Sequence, residues 1–215
     1  MIDKLNKSHK IIVVAGGWSD EREISLLSGK NVYNCLKSNK YNVKFFNLKK
    51  NNIQKILQLK PDIIFNSLHG EYGEDGGLNS FAQKNNINIS HSGAITSALC
   101  FNKRLLKRFL NKELNILSPS EIVYKNQIKY PVILKPNWGG SSKGIKFLKN
   151  KEDLKKKINN PKYLIEEIIY GKELTVTVIE NNKKISSREV RILQVNFPYS
   201  FLLKTIRKSL PGRSG

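Results

Sequence analysis

The strongest constraint on the fold is the alternation of strand-like and helix-like segments over the first hundred residues. Short runs rich in β-branched residues occur at residues 11–15 and 62–66, and each run is followed by glycines and then by a helical pattern. Parallel strands need a crossover between them, so this series predicts an α/β unit with an open parallel, Rossmann-like sheet. Ligands of such sheets bind beyond the carboxyl ends of the strands, where these glycines lie.

The same patterns predict the bounds of the elements. A capping box of Asp20 and Glu23 is expected to open the first helix. In the first half, we expect strands at 11–15, 41–46, 62–66 and 87–89, and helices at 20–36, 53–59, 78–84 and 94–111, the last one either continuous or broken near Phe101. In the second half, we expect an α+β unit with strands at 132–135, 145–148, 163–169 and 174–179 and one helix at 151–158.

A glycine-rich hairpin is predicted between Lys135 and Gly144, where the chain reads Lys-Pro-Asn-Trp-Gly-Gly-Ser-Ser-Lys-Gly. Glycines let the backbone approach an anion, and their N–H groups with the serine hydroxyls can donate to phosphate oxygens. The lysine precedes the glycines, and a second strand follows them, so this is not a Walker A loop. The hairpin is interpreted as a phosphate cover; an ordinary surface hairpin is the alternative.

The composition limits the classes of function. Apolar residues make up 39% of the 215 residues, which suffices for a core, and no apolar run is long enough to span a membrane. The two cysteines form no disulfide framework, which fits a cytoplasmic protein. The formal net charge of +21 is spread along the chain among asparagines, without a basic run or a nucleic-acid motif. A nucleic-acid or membrane-surface partner is therefore not expected.

Three groups of residues could carry chemistry. Glu21 lies at the start of the first helix, where it could cap the helix or receive a substrate ammonium. His69 opens a loop with four glycines that suits substrate positioning better than metal binding, although a lone histidine is more often structural. The third group consists of Lys103, Lys135, Glu166 and Glu173. Lysines on separate elements can meet at phosphates, but each alone is more often a solvated surface charge.

These motifs together resemble the D-alanine–D-alanine ligases of the ATP-grasp superfamily. The resemblance covers about residues 11–180 in five ordered blocks, at 19–29, 69–78, 91–103, 135–142 and 166–176. It implies an α/β fold in which an N-terminal open parallel sheet domain, residues 1–100, is followed by an incomplete α+β ATP-grasp domain, residues 101–190. Residues 191–215 would then form a divergent tail. It further implies a cytoplasmic enzyme of peptidoglycan precursor synthesis, and a homodimer is an option.

The resemblance also implies the chemistry and the residues that perform it. The family joins two D-alanines with ATP and magnesium, by way of an acyl phosphate. Glu21 and Ser141 would be catalytic, and together with His69 they would bind the D-alanine substrate. The residues that would bind ATP are Lys103, Lys135, Gly140, Ser141, Ser142, Glu166, Glu167, Ile169 and Glu173.

The sequence also departs from the family pattern. Asn79, Trp138 and Lys143 stand where the family favours other residues, and after residue 190 the pattern is lost. The family's magnesium ligands are not found, so no metal ligand is assigned. We expect a truncated or frame-disrupted ligase with little turnover by itself. The alternatives are a ligase for another pair, such as D-alanine with D-lactate, a non-catalytic nucleotide-binding remnant and, more distantly, a basic nucleic-acid binder.

Overall fold

A computed structural model describes residues 5–122, 128–140, 144–154, 160–171, 174–181 and 184–191. These residues divide into two compact units. Residues up to Lys103, together with Trp138–Gly140, form the first unit, and the remaining described residues form the second. None of the helices in the described ranges combines the length and apolar character that crossing a bilayer requires.

The first unit is built on a four-stranded parallel sheet. Its strands are β1 (Ile11–Gly16), β2 (Val43–Leu48), β3 (Ile63–Asn66) and β4 (Asn88–Ile89), in the order β2-β1-β3-β4. Its helices are α1 (Arg22–Ser38), α2 (Lys55–Gln58), α3 (Gly77–Lys84) and α4 (Ala94–Phe101). Helix α5 (Lys103–Glu113) begins at Lys103, and its other residues belong to the second unit. The predicted α/β fold with an open parallel sheet is confirmed.

Burial of β1 explains why its sequence is a continuous apolar run. The strand pairs on both edges and all of its residues are buried. Helix α1 approaches it closely at Gly29, where an added Cβ would lie 2.5 Å from the Cβ of Ala15. The core on one face of the sheet consists of Ile12, Val14, Leu48, Ile56, Ile64, Leu68, Leu78 and Ala82. Each valine, leucine or isoleucine side chain of this core contributes roughly 1.5–3 kcal/mol when fully buried.

Several predicted boundaries differ from the structure. The capping box is wrong, because α1 begins at Arg22 and the side chain of its N-cap residue, Glu21, makes no capping hydrogen bond. The hydroxyl of Ser19 accepts the Glu21 N–H instead, at 3.2 Å. The backbone of Asn102 is extended and separates α4 from α5, which confirms the break near Phe101.

The other differences concern short elements. Only Lys55–Gln58 is α-helical within the helix expected at 53–59, and the strand expected at 163–169 ends at Glu167. Of the helix expected at 151–158, Glu152–Leu154 form a 3₁₀ turn, and residues 155–159 lie outside the described residues.

The second unit contains antiparallel strands. Strands β5 (Val132–Pro136), β6 (Lys146–Leu148) and β7 (Tyr163–Glu167) form one sheet in the order β6-β5-β7. Strands β8 (Leu174–Asn181) and β9 (Lys184–Arg191) form a separate antiparallel pair. The pairing of β5 with β6 confirms the predicted hairpin, although residues 141–143 of its connection lie outside the described ranges. The core of the second unit consists of Val132, Leu134, Leu148, Leu154 and Ile165.

Candidate functional site

A buried serine joins the loops that follow β1 and β3 in the first unit. The hydroxyl of Ser25, which is fully buried on α1, accepts the N–H of Gly16 at 2.8 Å and donates to the carbonyl of Ser67 at 2.7 Å. Both backbone groups lie at the carboxyl ends of their strands. The hydroxyl therefore satisfies two polar groups that would otherwise be buried without partners, and it holds the two loops side by side.

Glu21 lies between these two loops and is only 6% exposed. One of its carboxylate oxygens is so close to Gly70 that a Cβ added there would lie 3.4 Å from it. The Ser19 hydroxyl donates to the carbonyl of His69 at 2.6 Å, which keeps the two loops together. Within the described ranges, the Glu21 carboxylate has no ion-pair partner. The guanidinium of the adjacent Arg22 donates instead to the carbonyl groups of Gly17 and Leu48.

His69 is oriented by hydrogen bonds from α1. The Ser28 hydroxyl lies 3.1 Å from Nε2 of His69 and donates its own proton to the carbonyl of Ser25 at 3.2 Å. The same hydroxyl lies 3.1 Å from the hydroxyl of Ser67, so this contact ties His69 to α1 and to the residue that follows β3. On the other side of the ring, Nδ1 of His69 lies 3.8 Å from a carboxylate oxygen of Glu74.

The glycines of the loop 70–77 permit close approach. An added Cβ at Gly73 would lie 2.4 Å from the Cβ of Leu68, and one at Gly76 would lie 2.4 Å from the carbonyl oxygen of Ala94. Asp75 holds the turn, because its carboxylate accepts the N–H groups of Tyr72 and Gly77. Burial and the Asp75 charge raise the pKa of the Tyr72 phenol above its ordinary value. The interpretation of the loop as a rigid platform agrees with these contacts.

The second unit contains a buried group of three charges. Glu166 on β7 is fully buried, and its carboxylate pairs with Lys107 of α5 through Oε1 and with Lys135 of β5 through Oε2. The ammonium of Lys107 lies 2.5 Å from Oε1. The lysine side chains are 6% and 5% exposed, respectively, so neither is a solvated surface charge. Sequence reasoning selected Lys135 and Glu166 but missed Lys107, because nothing in its local pattern distinguishes it from the other lysines of α5.

A second ion pair, between Arg104 and Glu121, lies next to the group of Lys107, Glu166 and Lys135. Arg104 binds the Glu121 carboxylate with two nitrogens, at 2.8 and 2.6 Å, and also donates to the carbonyl of Tyr163 at 2.9 Å. Glu121 forms a backbone bridge to Glu166. The buried side chain of Asn137 accepts the Arg104 N–H at 2.9 Å. These contacts fix the start of α5 against β7 in the second unit.

The remaining candidates are placed as follows. The ammonium of Lys103 donates to the carbonyl of Gly139 at 2.5 Å, and an added Cβ at Gly139 would meet no atom within 4 Å. The Glu167 carboxylate accepts the N–H of Ser120, and Ile169 is half-buried after β7. Ser141, Ser142 and Glu173 lie outside the described residues. The structure thus brings Lys135 and Glu166 into contact, and it places Glu21 beside the His69 loop.

Comparison with known proteins relates this chain to one family. The family model described as "D-ala D-ala ligase C-terminus" matches residues 108–209. The D-alanine–D-alanine ligase of Rickettsia felis is 35% identical over 207 residues, which cover 92% of this chain and 64% of the relative. That of Rickettsia canadensis is 36% identical over 206 residues, 91% of this chain and 58% of the relative. The chain is thus similar to D-alanine–D-alanine ligases over more than nine tenths of its own length. It spans about three fifths of the length of these relatives.

Solved structures of D-alanine–D-alanine ligases share the fold. A crystal structure from Bacillus anthracis matches with a TM-score of 0.66 and 26% identity, over 87% of this chain and 73% of that one. The match of the family model extends to residue 209 and so includes most of residues 191–215, where a divergent tail was expected. In the part of the chain that the structure describes, no group of three or more His, Cys, Asp or Glu residues could hold a metal ion.

Proposed function

We propose that this chain carries D-alanine- and ATP-binding parts of a cytoplasmic D-alanine–D-alanine ligase that serves peptidoglycan precursor synthesis. The observation that carries the proposal is the enclosed carboxylate of Glu21 at the carboxyl ends of β1 and β3. A carboxylate with so little contact with water needs a cation or hydrogen-bond donors. The ammonium of the first D-alanine would supply both, and His69 would lie beside the same substrate.

Two lysines support the nucleotide part of the proposal. Lys135 lies in β5 at the start of the hairpin, its charge partly matched by Glu166, and its ammonium retains donors for a phosphate oxygen. Lys103 is already bound to the loop at Gly139. That glycine has a φ of +100° and open space on its Cβ side, so its backbone could approach phosphate closely. Gly140, Ser141 and Ser142 would continue the cover over the phosphates.

The proposed reaction has two steps. A carboxylate oxygen of the first D-alanine attacks the γ-phosphorus of ATP, and ADP leaves, which forms an acyl phosphate. The amine of the second D-alanine then attacks the acyl carbon, and phosphate leaves from a tetrahedral intermediate. The protein would contribute position and charge, with Glu21 orienting the first substrate and Lys135 neutralising phosphate charge. Ser141 would connect Glu21 to the reacting groups, and Glu167, Ile169 and Glu173 would bind the nucleoside. The fully buried Glu166 would act on the nucleotide through its ion pair with Lys135.

Magnesium, when bound, would neutralise further charge on the triphosphate. The described residues do not provide a cluster for it. That residues 1–215 alone bind ATP and D-alanine but release little phosphate stays a prediction. The identity of the second substrate and a homodimeric state stay predictions as well.

Binding and turnover, measured separately, test the proposal. We expect the purified chain to bind ATP, and D-alanine to raise its melting temperature more than L-alanine does. Lys135→Met should weaken ATP binding, while Lys129→Met should not, because Lys129 precedes β5 and lies outside its buried ion pairs. Absence of both ATP binding and D-alanine stabilisation would refute the proposed function. Robust ATP- and D-alanine-dependent phosphate release would refute only the expectation of low turnover.

A further inference from the structure

The burial of Lys107 is not predicted by the sequence around it. It lies one turn after Lys103 on α5, and its side chain is 6% exposed. Lysine is almost never buried to this degree unless it is paired. Its partner is Oε1 of Glu166, at 2.5 Å and 59 residues away along the chain. The contact therefore comes from the fold and cannot be read from the local pattern of the helix.

The group of Lys107, Glu166 and Lys135 carries a surplus positive charge. One fully buried carboxylate lies between two ammonium groups, one on each of its oxygens. Two cations and one anion leave a net charge of +1 in a region that water scarcely reaches. Burying an unmatched charge is costly, and the cost falls when an anion binds next to it. The group is thus arranged to accept a further negative charge.

We propose that Lys107 is a positioning residue for Lys135. Lys107 pairs with Oε1 of Glu166, so Lys135 pairs only with Oε2. The negative charge of the carboxylate is therefore shared between the two lysines and does not act on Lys135 alone. The Lys135 ammonium has three N–H donors, so those not directed at Oε2 remain for a nucleotide phosphate. This inference rests on the proposed function, because it names the residue that prepares Lys135 for ATP.

Removal of Lys107 has a defined consequence. The whole carboxylate of Glu166 would then pair with Lys135, and its charge would compete with phosphate for the same ammonium. The surplus positive charge of the group would also fall to zero. A charge-assisted hydrogen bond of about 1.5 kcal/mol corresponds to roughly tenfold in binding, so we expect ATP to bind about tenfold more weakly.

A double-mutant cycle on the full chain tests this inference, with ATP affinity as the readout. Lys107→Met should weaken ATP binding about tenfold, whereas Lys107→Arg, which keeps the charge and the donor, should restore it to within about threefold. Lys112→Met is the matched control, because Lys112 lies on the same helix and is exposed, and it should change the affinity less than about twofold. In a Lys135→Met background, Lys107→Met should add almost nothing, because the lysine that it positions is gone.

A second variant and a labelling measurement allow the inference to be tested even if Lys107→Met does not fold or the parent chain does not bind ATP. If Lys107→Met does not fold, Lys107→Gln takes its place, because it retains a donor for Glu166 but not the charge. Without nucleotide, an amine-reactive reagent should modify Lys135 more slowly in the variant than in the parent chain, since the whole carboxylate now pairs with that lysine. This labelling measures the positioning even if the parent chain fails to bind ATP, which would refute the proposed function instead.

The inference is wrong if Lys107→Met lowers the stability but leaves both ATP affinity and Lys135 labelling unchanged, because Lys107 would then be only structural. It is also wrong if the effects of the Lys107 and Lys135 substitutions on ATP binding simply add.

Discussion

Replacing Glu21 by glutamine tests the proposed substrate site most directly. Glutamine has nearly the same shape as glutamate, so the substitution removes the charge and leaves the packing against Gly70 in place. A hydrogen bond to a charged group contributes about 1.5–3 kcal/mol. If the carboxylate receives the D-alanine ammonium, its loss should weaken D-alanine binding by roughly 10- to 150-fold.

The same substitution should not lower the stability of the ligand-free protein. Glu21 is 6% exposed and has no ion-pair partner within the described ranges, so it holds a charge that is poorly solvated. Glu21→Gln should therefore leave the melting temperature unchanged or raise it when no ligand is present. A loss of binding that accompanies a gain of stability identifies a group kept for its ligand.

The assay is the rise in melting temperature with D-alanine concentration, which yields a dissociation constant for each variant. Glu23→Gln is the matched control, because Glu23 is an exposed acid in the first turn of the same helix. It should shift D-alanine binding less than twofold and lose only the small dipole contribution of about 0.3–1 kcal/mol to stability. Equal binding by the Glu21→Gln variant and the parent chain, or an equal loss in the control, would refute the reasoning.

Two further predictions concern the packing that supports the site, and thermal or denaturant unfolding measures both. Gly76→Ala should destabilise the first unit by about 2 kcal/mol or more, because the φ of +88° is unfavourable for alanine and its Cβ would collide with a neighbouring carbonyl oxygen. Gly93→Ala should be nearly neutral, since no atom lies within 4 Å of its added Cβ, and equal losses at both positions would contradict this explanation. Arg104→Met should cost about 1–3 kcal/mol, because it leaves the half-buried Glu121 carboxylate unpaired. Arg108→Met, an exposed position on the same helix, should cost less than about 0.5 kcal/mol, and a similar cost for both variants would show that the ion pair contributes nothing.

The sheet and the loops were predictable because their signals are local. Strand β1 is a continuous apolar run, and glycines mark the points where chains approach each other, so periodicity and turn chemistry suffice. The start of α1 was misplaced because Asp20 fits a capping pattern, whereas the Ser19 hydroxyl forms the local turn. Competing polar residues within two positions cannot be ranked from the sequence alone.

The charged groups of the second unit were only partly predictable. Lys135 was identified because a strand ends next to it and glycines follow. Lys107 was not identified, since its carboxylate partner is 59 residues away, and Arg104 was not, since its partner is 17 residues away. Both depend on how α5 packs against β7, and a lysine-rich composition conceals the few lysines that are buried.

The single hydroxyl of Ser25 also has a consequence for motion. Because it bonds at once to the backbone after β1 and the backbone after β3, a displacement of either loop stretches or breaks a bond to the other. The two loops should therefore fluctuate together, with correlated relaxation of the Gly16 and Ser67 backbones. A substrate that shifts the loop after β1 would then shift the loop after β3 as well, in addition to its own contact with His69.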